Sequence, residues 1–311
     1  MKQKAIFCLG LLFVASLCFG IDDKFLHQMA HIKGNPAYAV DAGNQQVFVR
    51  NNNNILIYST FNAWKPRLEA GFYSVFPIED MNVAGDKYIY VSSREVTNTI
   101  TPIDTLDTFG KIYFTTTILG DKLTREGSTL YIADRYRGID IVDIGSGGQQ
   151  EIRSTFSEKW GIRDFQAEYP YLYALNDFGL VTVDITDLQF PQSMDTNYEL
   201  VNAKVIAKNG ETLWIGAGKN LVAINIRNIR QPGFLTQYRL ASEILDLEIK
   251  DNRLYIALGT GGMKILDVSN PLRIEDLTTL TLPMSVYDVA LDADYIMLAL
   301  GKDGWMLYQY R

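Results

Sequence analysis

Four aspartates have the residue type and spacing that could do chemistry in this sequence. Asp80, Asp164, Asp246 and Asp288 each lie nine residues before a hydrophobic residue of a repeated pattern. Carboxylates that come close together raise one another's pKa unless they accept hydrogen bonds or share a cation. If the fold gathers these four, the sequence therefore predicts one of two roles. They either cap backbone N–H groups of a neighbouring strand or form a site for a hard cation such as Ca²⁺.

A repeated pair of hydrophobic strands supplies the elements that must position these aspartates. Examples are LYIADRYRGIDIVDI from Leu130 and LYIALGTGGMKILDV from Leu254. The second residues of the first strands are Phe48, Ile89, Tyr131, Tyr173, Trp214, Tyr255 and Met297. Successive members of this series are 41, 42, 42, 41, 41 and 42 residues apart. So regular a spacing predicts seven copies of one structural unit.

Each copy contains four short strand patterns, called a, b, c and d in chain order, separated by turns rich in Gly, Asn, Asp and Pro. This is typical of an antiparallel meander. A lone sheet of this kind exposes both faces and both edges, so the copies must pack around an axis. The period predicts an all-β fold, a seven-bladed β-propeller with four antiparallel strands in each blade. The last copy lacks a fourth strand. We expect Phe25 to Ile32 to supply it beside Trp305 to Tyr310.

Residues 1–20 resemble a secretory signal, and residues 21–311 form the predicted single propeller domain. Two lysines precede an apolar run that is too short to span a bilayer. We expect cleavage after Gly20. The alternative is a bacterial lipoprotein that is cut before Cys18, whose thiol would then carry lipid. Both routes predict an exported protein of the periplasm or cell surface, and the lipidated form would lie at the outer membrane. Neither leaves a transmembrane segment.

The composition excludes several classes of function. Both cysteines, Cys8 and Cys18, lie in the leader, so the mature chain has no disulfide and no cysteine metal cluster. The formal net charge is -7 and the sequence pI is about 5.0, which argues against nucleic-acid binding. His27 and His31 are the two histidines, and without carboxylate or thiolate neighbours they make an incomplete metal site.

Several copies resemble the LVIVD-repeat family. The segments that carry the resemblance are GGMKILDVSNPLRIEDL, RGIDIVDI and FGLVTVDIT, and looser copies extend it over residues 25–311. The resemblance implies a propeller that is exported by bacteria or archaea, and it implies no shared activity. In this pattern strand c ends in a polar residue: Asp104, Asp143, Asp184, Asn225 or Asp267. We expect these side chains to accept N–H groups two or three residues further on and so to end the strand.

One end of the predicted propeller carries residue types that are frequent at protein interfaces. The turns between strands b and c, together with the connections between blades, gather at this end. The candidate binding residues are Arg135, Tyr136, Arg137, Trp160, Arg163 and Phe178. Exposed Arg, Tyr and Trp side chains dominate interface energetics. The alternative is ordinary turn chemistry with scattered surface aromatic residues.

The sequence thus predicts an exported, non-catalytic, monomeric propeller that binds a protein or a glycan. The alternative is a cation-dependent hydrolase or lyase that uses the repeated aspartates. The hairpins contain no histidine, the residue that most often acts as a general base near neutral pH, and this favours the binding module. We expect no cofactor other than a channel cation such as Ca²⁺, and the partner's identity stays open.

Overall fold

The computed structural model describes residues 26–84, 88–93, 99–102, 109–111, 120–145, 150–158, 161–194 and 198–310. This part of the chain consists of strands, turns and irregular segments, without a helix. It therefore contains no helix long and apolar enough to cross a membrane. The predicted signal at residues 1–20, with Cys18, lies outside the described residues.

The first sheet and the closing sheet contain the two ends of the described chain. The first sheet is formed by β2 (Ala39–Gly43), β3 (Gln46–Arg50), β4 (Asn54–Ser59) and β5 (Arg67–Tyr73). The closing sheet is formed by β27 (Asp288–Asp292), β28 (Tyr295–Ala299), β29 (Trp305–Tyr310) and β1 (Leu26–Ile32). In both sheets all four strands pair antiparallel.

Four further sheets repeat the same antiparallel order. The third is β10 (Lys122–Glu126), β11 (Thr129–Asp134), β12 (Gly138–Ile144) and β13 (Gln150–Ser157). The fourth is β14 (Ile162–Glu168), β15 (Tyr171–Asn176) and β16 (Gly179–Asp184), with β17 (Gln192–Ser193) and β18 (Tyr198–Glu199) sharing its outer edge. The fifth is β19 (Ala203–Asn209), β20 (Thr212–Ala217), β21 (Asn220–Asn225) and β22 (Gly233–Arg239). The sixth is β23 (Asp246–Lys250), β24 (Arg253–Ala257), β25 (Met263–Asp267) and β26 (Glu275–Leu280).

The second sheet departs from the prediction. It contains β6 (Asp80–Ala84), β7 (Tyr88–Ser92) and β8 (Thr99–Pro102), and β9 (Phe109–Lys111) pairs in parallel with β5 of the first sheet instead. Pro102 at the end of β8 has no N–H to donate to a further strand. The prediction of seven four-stranded blades is therefore wrong. The protein is an all-β propeller with six blades of four antiparallel strands, and the three-stranded sheet lies between two of them.

The sheets form a closed ring around their first strands. These inner strands are β2, β6, β10, β14, β19, β23 and β27, and each contacts the next, with β27 returning to β2. The predicted closure is confirmed, because β1 pairs antiparallel with β29 from Leu26 opposite Tyr310 to Ile32 opposite Trp305. The ring therefore buries one edge of β29 that would otherwise face solvent.

The hydrophobic core lies between neighbouring sheets. Strand β11 is buried along its whole length because other sheets cover both of its faces. Tyr131 and Ile141 of the third sheet, for example, pack with Phe165 and Val181 of the fourth. The second strands of the repeats are consequently almost continuously apolar, and this run is the hydrophobic signal that recurs in the sequence.

Candidate functional site

The four predicted aspartates lie on inner strands, and each bonds to the inner strand of the next sheet. Asp288 Oδ2 accepts the Val40 N–H at 2.7 Å, and Asp246 Oδ2 accepts the Val289 N–H at 3.0 Å. The other two bonds follow the same rule, from Leu123 N to Asp80 at 2.9 Å and from Ile206 N to Asp164 at 2.9 Å. The capping contact that the sequence suggested is therefore present at all four aspartates.

Asp41 makes a fifth bond of this kind and was missed by the sequence analysis. Its Oδ2 accepts the Val83 N–H of the second sheet at 2.7 Å. Phe48 and Tyr255 occupy the same position in their copies. Asp41 pairs with Phe48 itself, whereas Asp246 pairs with Ala257, two residues after Tyr255. Asp41 therefore lies two residues further along its strand than the predicted aspartates do. A search restricted to one repeat position does not find it.

Lys122 contributes a positive charge to this group and was also missed. It pairs with Ala133 in the same way that Asp246 pairs with Ala257, so a lysine replaces the aspartate in the third copy. Its Nζ lies 4.0 Å from Asp164 Oδ1. The charges of Asp164 and Asp80 hold the pKa of Lys122 well above its usual range, although burial opposes this shift. Lys122 is therefore a built-in cation among the inner carboxylates.

Burial raises the pKa of several inner carboxyl groups. Asp41 has a pKa raised to about 7, and the bonds from Val83 and Ala42 N–H only partly offset that shift. Burial raises the pKa of Asp164 to about 6, against the lowering effect of Lys122. Asp246, Glu248 and Asp288 also have raised pKa values, with burial as the largest cause. We call Asp41, Asp80, Lys122, Asp164, Asp246 and Asp288 the inner charged cluster. In the described part of the chain, no group of three or more His, Cys, Asp or Glu residues could hold a metal ion.

The repeat alignment needs one correction in the second copy. Asp80 pairs with Ser92, whereas Asp246 pairs with Ala257 and Asp164 with Leu175. The residue of β7 that corresponds to Tyr255 is therefore Tyr90, not Ile89. The shift by one residue arises because the sequence spacing alone cannot fix the length of the turn between β6 and β7.

Five of the six predicted binding residues lie at one end of the third and fourth sheets. Tyr136 is 80% exposed in the turn between β11 and β12, and Phe178 is 57% exposed in the turn between β15 and β16. Asp134 Oδ1 accepts the N–H groups of Tyr136 at 2.8 Å and of Arg137 at 2.9 Å. Asn176 Oδ1 accepts the Phe178 N–H at 2.8 Å in the same way. Both turns are thus fixed by local hydrogen bonds.

Arginines connect these turns to their surroundings. Arg163, at the start of β14, donates from Nε to Asp177 Oδ1 at 2.7 Å, which ties an inner strand to the next turn. Arg137 Nη2 donates to Asp140 Oδ2 at 3.0 Å. The backbone N–H of Arg135 donates to Asp121 Oδ2 at 2.9 Å. The third and fourth sheets are neighbours in the ring. The five predicted binding residues that the structure describes therefore lie side by side at this end of the propeller. Trp160 lies outside the described residues.

A cleft at the same end was not predicted; it is lined by turns of the fifth and sixth sheets and by the segment that leads into β27. Its volume is about 400 Å³, and its lining residues include Lys219, Gly259, Thr260 and Tyr287. Gly259 and Thr260 belong to the glycine-rich turn between β24 and β25. The apolar runs on either side of these glycines predict a hairpin turn, and the bond from Leu258 N–H to Gly262 O at 2.9 Å confirms it.

The predicted caps at the ends of strand c are largely confirmed. Asp184 Oδ1 accepts the Thr186 N–H at 2.9 Å, Asp267 Oδ1 accepts the Ser269 N–H at 2.8 Å, and Asn225 Oδ1 accepts the Arg227 N–H at 2.8 Å. Asp143 instead accepts the Arg153 Nε–H at 2.8 Å. Asp104 lies outside the described residues.

The comparison with known families bears directly on these repeated strands. A model of the LVIVD repeat matches residues 126–147, which include β11 and β12, and residues 244–274, which include β23 to β25. The chain carries LVIVD repeats. The resemblance found in the sequence is thus confirmed in two copies of the LVIVD unit, in the third and sixth sheets. A search of the curated proteins gave no match to this LVIVD-repeat chain.

Solved structures with the same fold are numerous and distant in sequence. The computationally designed Ika8 protein is 12% identical, with a TM-score of 0.64, and the match covers 91% of this chain and 99% of that chain. A chain in the crystal structure of a mitotic checkpoint complex is 12% identical, with a TM-score of 0.68 and 99% of both chains covered. At this identity the likeness concerns the fold alone.

Proposed function

We propose that this LVIVD-repeat propeller is an exported, non-catalytic module that binds a protein through one end of the third and fourth sheets. The observation that carries the proposal is the exposure of Tyr136 and Phe178 on fixed turns of neighbouring sheets. We call Arg135, Tyr136, Arg137, Arg163 and Phe178 the turn face.

The chemistry of the turn face suits a protein partner. Tyr136 and Phe178 offer large ring surfaces, and few of their torsions need to be frozen on binding. Hydrogen bonds to Asp134 and Asn176 already order their turns, so the backbone loses little conformational entropy on binding. Arg163 and Asp177 form an ion pair that is partly exposed, with side chains 41% and 48% accessible. Such a pair at the rim favours specificity more than affinity.

Two features support the non-catalytic and exported parts of the proposal. The carboxylates of the inner charged cluster already accept backbone N–H groups of the next sheet, and Lys122 adds an internal counter-charge. The leader pattern at residues 1–20 supports export.

The test replaces both exposed rings and measures capture of a partner. Tyr136→Ser with Phe178→Ser should abolish capture of an envelope protein by the purified chain, because it removes the two largest accessible side chains of the turn face. The matched control is Phe190→Ala, which removes a ring that is 66% exposed at the opposite end of the strands. Capture is compared by mass spectrometry, and melting is followed by circular dichroism.

Two results would count against the proposal. Capture that survives the double substitution would exclude the turn face. A melting temperature that responds to CaCl₂ and to EDTA would instead favour the alternative, a cation-dependent hydrolase or lyase that uses Asp80, Asp164, Asp246 and Asp288.

A further inference from the structure

An open cleft at the opposite end of the first sheet has the chemistry of a sugar-binding site. Its volume is about 540 Å³, within the usual range for small-ligand sites. Eight of its nine lining residues carry hydrogen-bonding side chains, and the ninth is Phe61. The polar lining residues are Asn44, Gln45, Gln46, Ser59, Asn62, Lys65, Arg67 and Glu69. We call this the first-sheet cleft.

Two aromatic rings stand exposed in the loop that borders the cleft. Phe61 is 87% exposed and Trp64 is 61% exposed. The Trp64 and His27 rings form a T-shaped contact with ring centroids 5.1 Å apart, which links the loop to β1. Trp214 and Trp305 are buried, so the large exposed rings of Phe61 and Trp64 point to an interaction surface.

The repeat itself shows that the loop does not need these rings. The N–H of Phe61 lies 3.4 Å from Ser59 Oγ, and the corresponding N–H in the fourth sheet, from Thr186, donates to Asp184 Oδ1. The N–H of Trp64 donates to Asn62 Oδ1 at 3.2 Å. In the fourth sheet the corresponding N–H of Gln189 donates to Asp187 Oδ1 at 2.9 Å. The same backbone bonds thus form with threonine and glutamine at these two positions, so the backbone of the loop does not require aromatic residues there.

The loop is also ordered before any ligand binds. The Thr60 N–H donates to Gln45 O at 2.7 Å, which joins the loop to the turn between β2 and β3. The Lys65 N–H donates to Asn62 O at 2.9 Å. Ala63, between the two rings in sequence, is buried in the cluster that contains Trp305. A ligand would therefore meet rings and amides already in place.

We propose that the first-sheet cleft binds an oligosaccharide. Side-chain amides both donate and accept, as sugar hydroxyls do, and four of the lining residues are amides. The apolar C–H face of a pyranose ring matches the exposed ring of Phe61, which lines the cleft. Trp64 lies outside the lining but is exposed in the same loop, where a further sugar unit would reach it. Lys65, Arg67 and Glu69 leave one net positive charge, which suits a neutral sugar or a single uronate. Because the cleft and the turn face lie at opposite ends of the strands, this site is independent of the proposed protein-binding function.

The test uses the full propeller on an array of defined oligosaccharides, with neutral gluco-, manno-, galacto- and xylo-oligomers and uronate oligomers. Binding to the strongest ligand is then measured by calorimetry. Phe61→Thr and Trp64→Gln introduce the residues that the fourth-sheet loop carries, and each should weaken binding about tenfold. Phe190→Ala in the fourth-sheet loop should leave the affinity unchanged. Melting curves confirm that each variant is folded, and either substitution alone suffices for the test.

Three results would overturn the inference. They are the absence of binding to every oligosaccharide, an affinity unaffected by both substitutions, and capture of a protein that depends on Phe61 or Trp64. The Tyr136→Ser and Phe178→Ser variant separates the two proposals. If that variant abolishes sugar binding, the sugar binds at the turn face. This result would contradict the proposal that the first-sheet cleft binds sugar, but it would leave a binding role for the turn face intact.

Discussion

At the residue scale, the inner charged cluster combines structural bonds with unfavourable burial of charge. Each carboxylate accepts a backbone N–H across a sheet boundary, yet burial raises the pKa of Asp41 to about 7 and of Asp164 to about 6. The spacing of the repeat predicted four of these aspartates and their capping role. It did not predict Lys122 or Asp41, because the search followed one residue type at one repeat position.

The raised pKa values predict that the propeller loses stability as the pH rises from about 4 to about 7. The Asp41 carboxyl stays protonated in the folded chain up to a pKa of about 7, whereas in the unfolded chain it ionises near the ordinary aspartate pKa of 3.8. Between these pH values the folded state binds more protons, so raising the pH favours unfolding. Urea denaturation at pH 5 and pH 8 measures the difference.

Asp41→Asn should make the propeller more stable at pH 8 and reduce this pH dependence, because the amide oxygen still accepts the Val83 N–H without a buried charge. A rise in Tm of about 3 °C is expected for each 1 kcal/mol gained. Asp294→Asn, at an exposed turn, is the control and should change neither quantity. Equal pH dependence in the Asp41→Asn and wild-type chains would contradict the assignment.

At the element scale, the hairpins are formed by short turns that could be predicted from the sequence. The pairing of strands at the outer edges of the sheets could not be predicted. The glycine-rich turn at Gly259 to Gly262 was predicted from the apolar runs on either side of it. The parallel pairing of β9 with β5 was not predicted, because it joins two different sheets and the repeat spacing reports only the pairs within one copy.

Gly262→Ala should lower Tm by several degrees. Gly262 has a φ of +79°, and a Cβ there would lie 2.0 Å from the Leu280 carbonyl oxygen of the neighbouring strand β26. The substitution therefore adds a clash with backbone to the cost of a left-handed conformation. Gly218→Ala is the matched control, because Gly218 has a φ of +60° and open space at the Cβ position. Similar losses in the two variants would show that only the φ angle matters.

At the scale of the whole molecule, closure of the ring was predicted from the missing fourth strand of the last copy and is confirmed by the pairing of β1 with β29. The number of four-stranded blades was not predicted correctly. Regular spacing counts copies of the hairpin, but it does not show whether each copy also forms a fourth strand. The order of the inner strands around the ring follows from the chain order, as expected for a repeat protein.

Removal of residues 26–32 should lower Tm strongly, on the order of 10 °C. It exposes the edge of β29 and takes Leu26, Met29 and Ala30 out of the core. His27→Ala on the exposed side of the same strand is the control and should have a small effect. Differential scanning calorimetry measures both, and a peptide spanning residues 26–32 added in trans should restore part of the loss. An unchanged melt after the deletion would contradict closure by β1.

The pairing of β1 with β29 also imposes an order on biosynthesis. Strand β1 leaves the ribosome before the other described strands of the propeller, and its partner β29 follows all of them. The nascent chain must therefore hold β1 unpaired until Tyr310 has emerged, and a chain that ends before β29 leaves β1 without its partner. Such long-range contacts form late and slowly. Unfinished copies of this chain are consequently natural targets for chaperones and proteases.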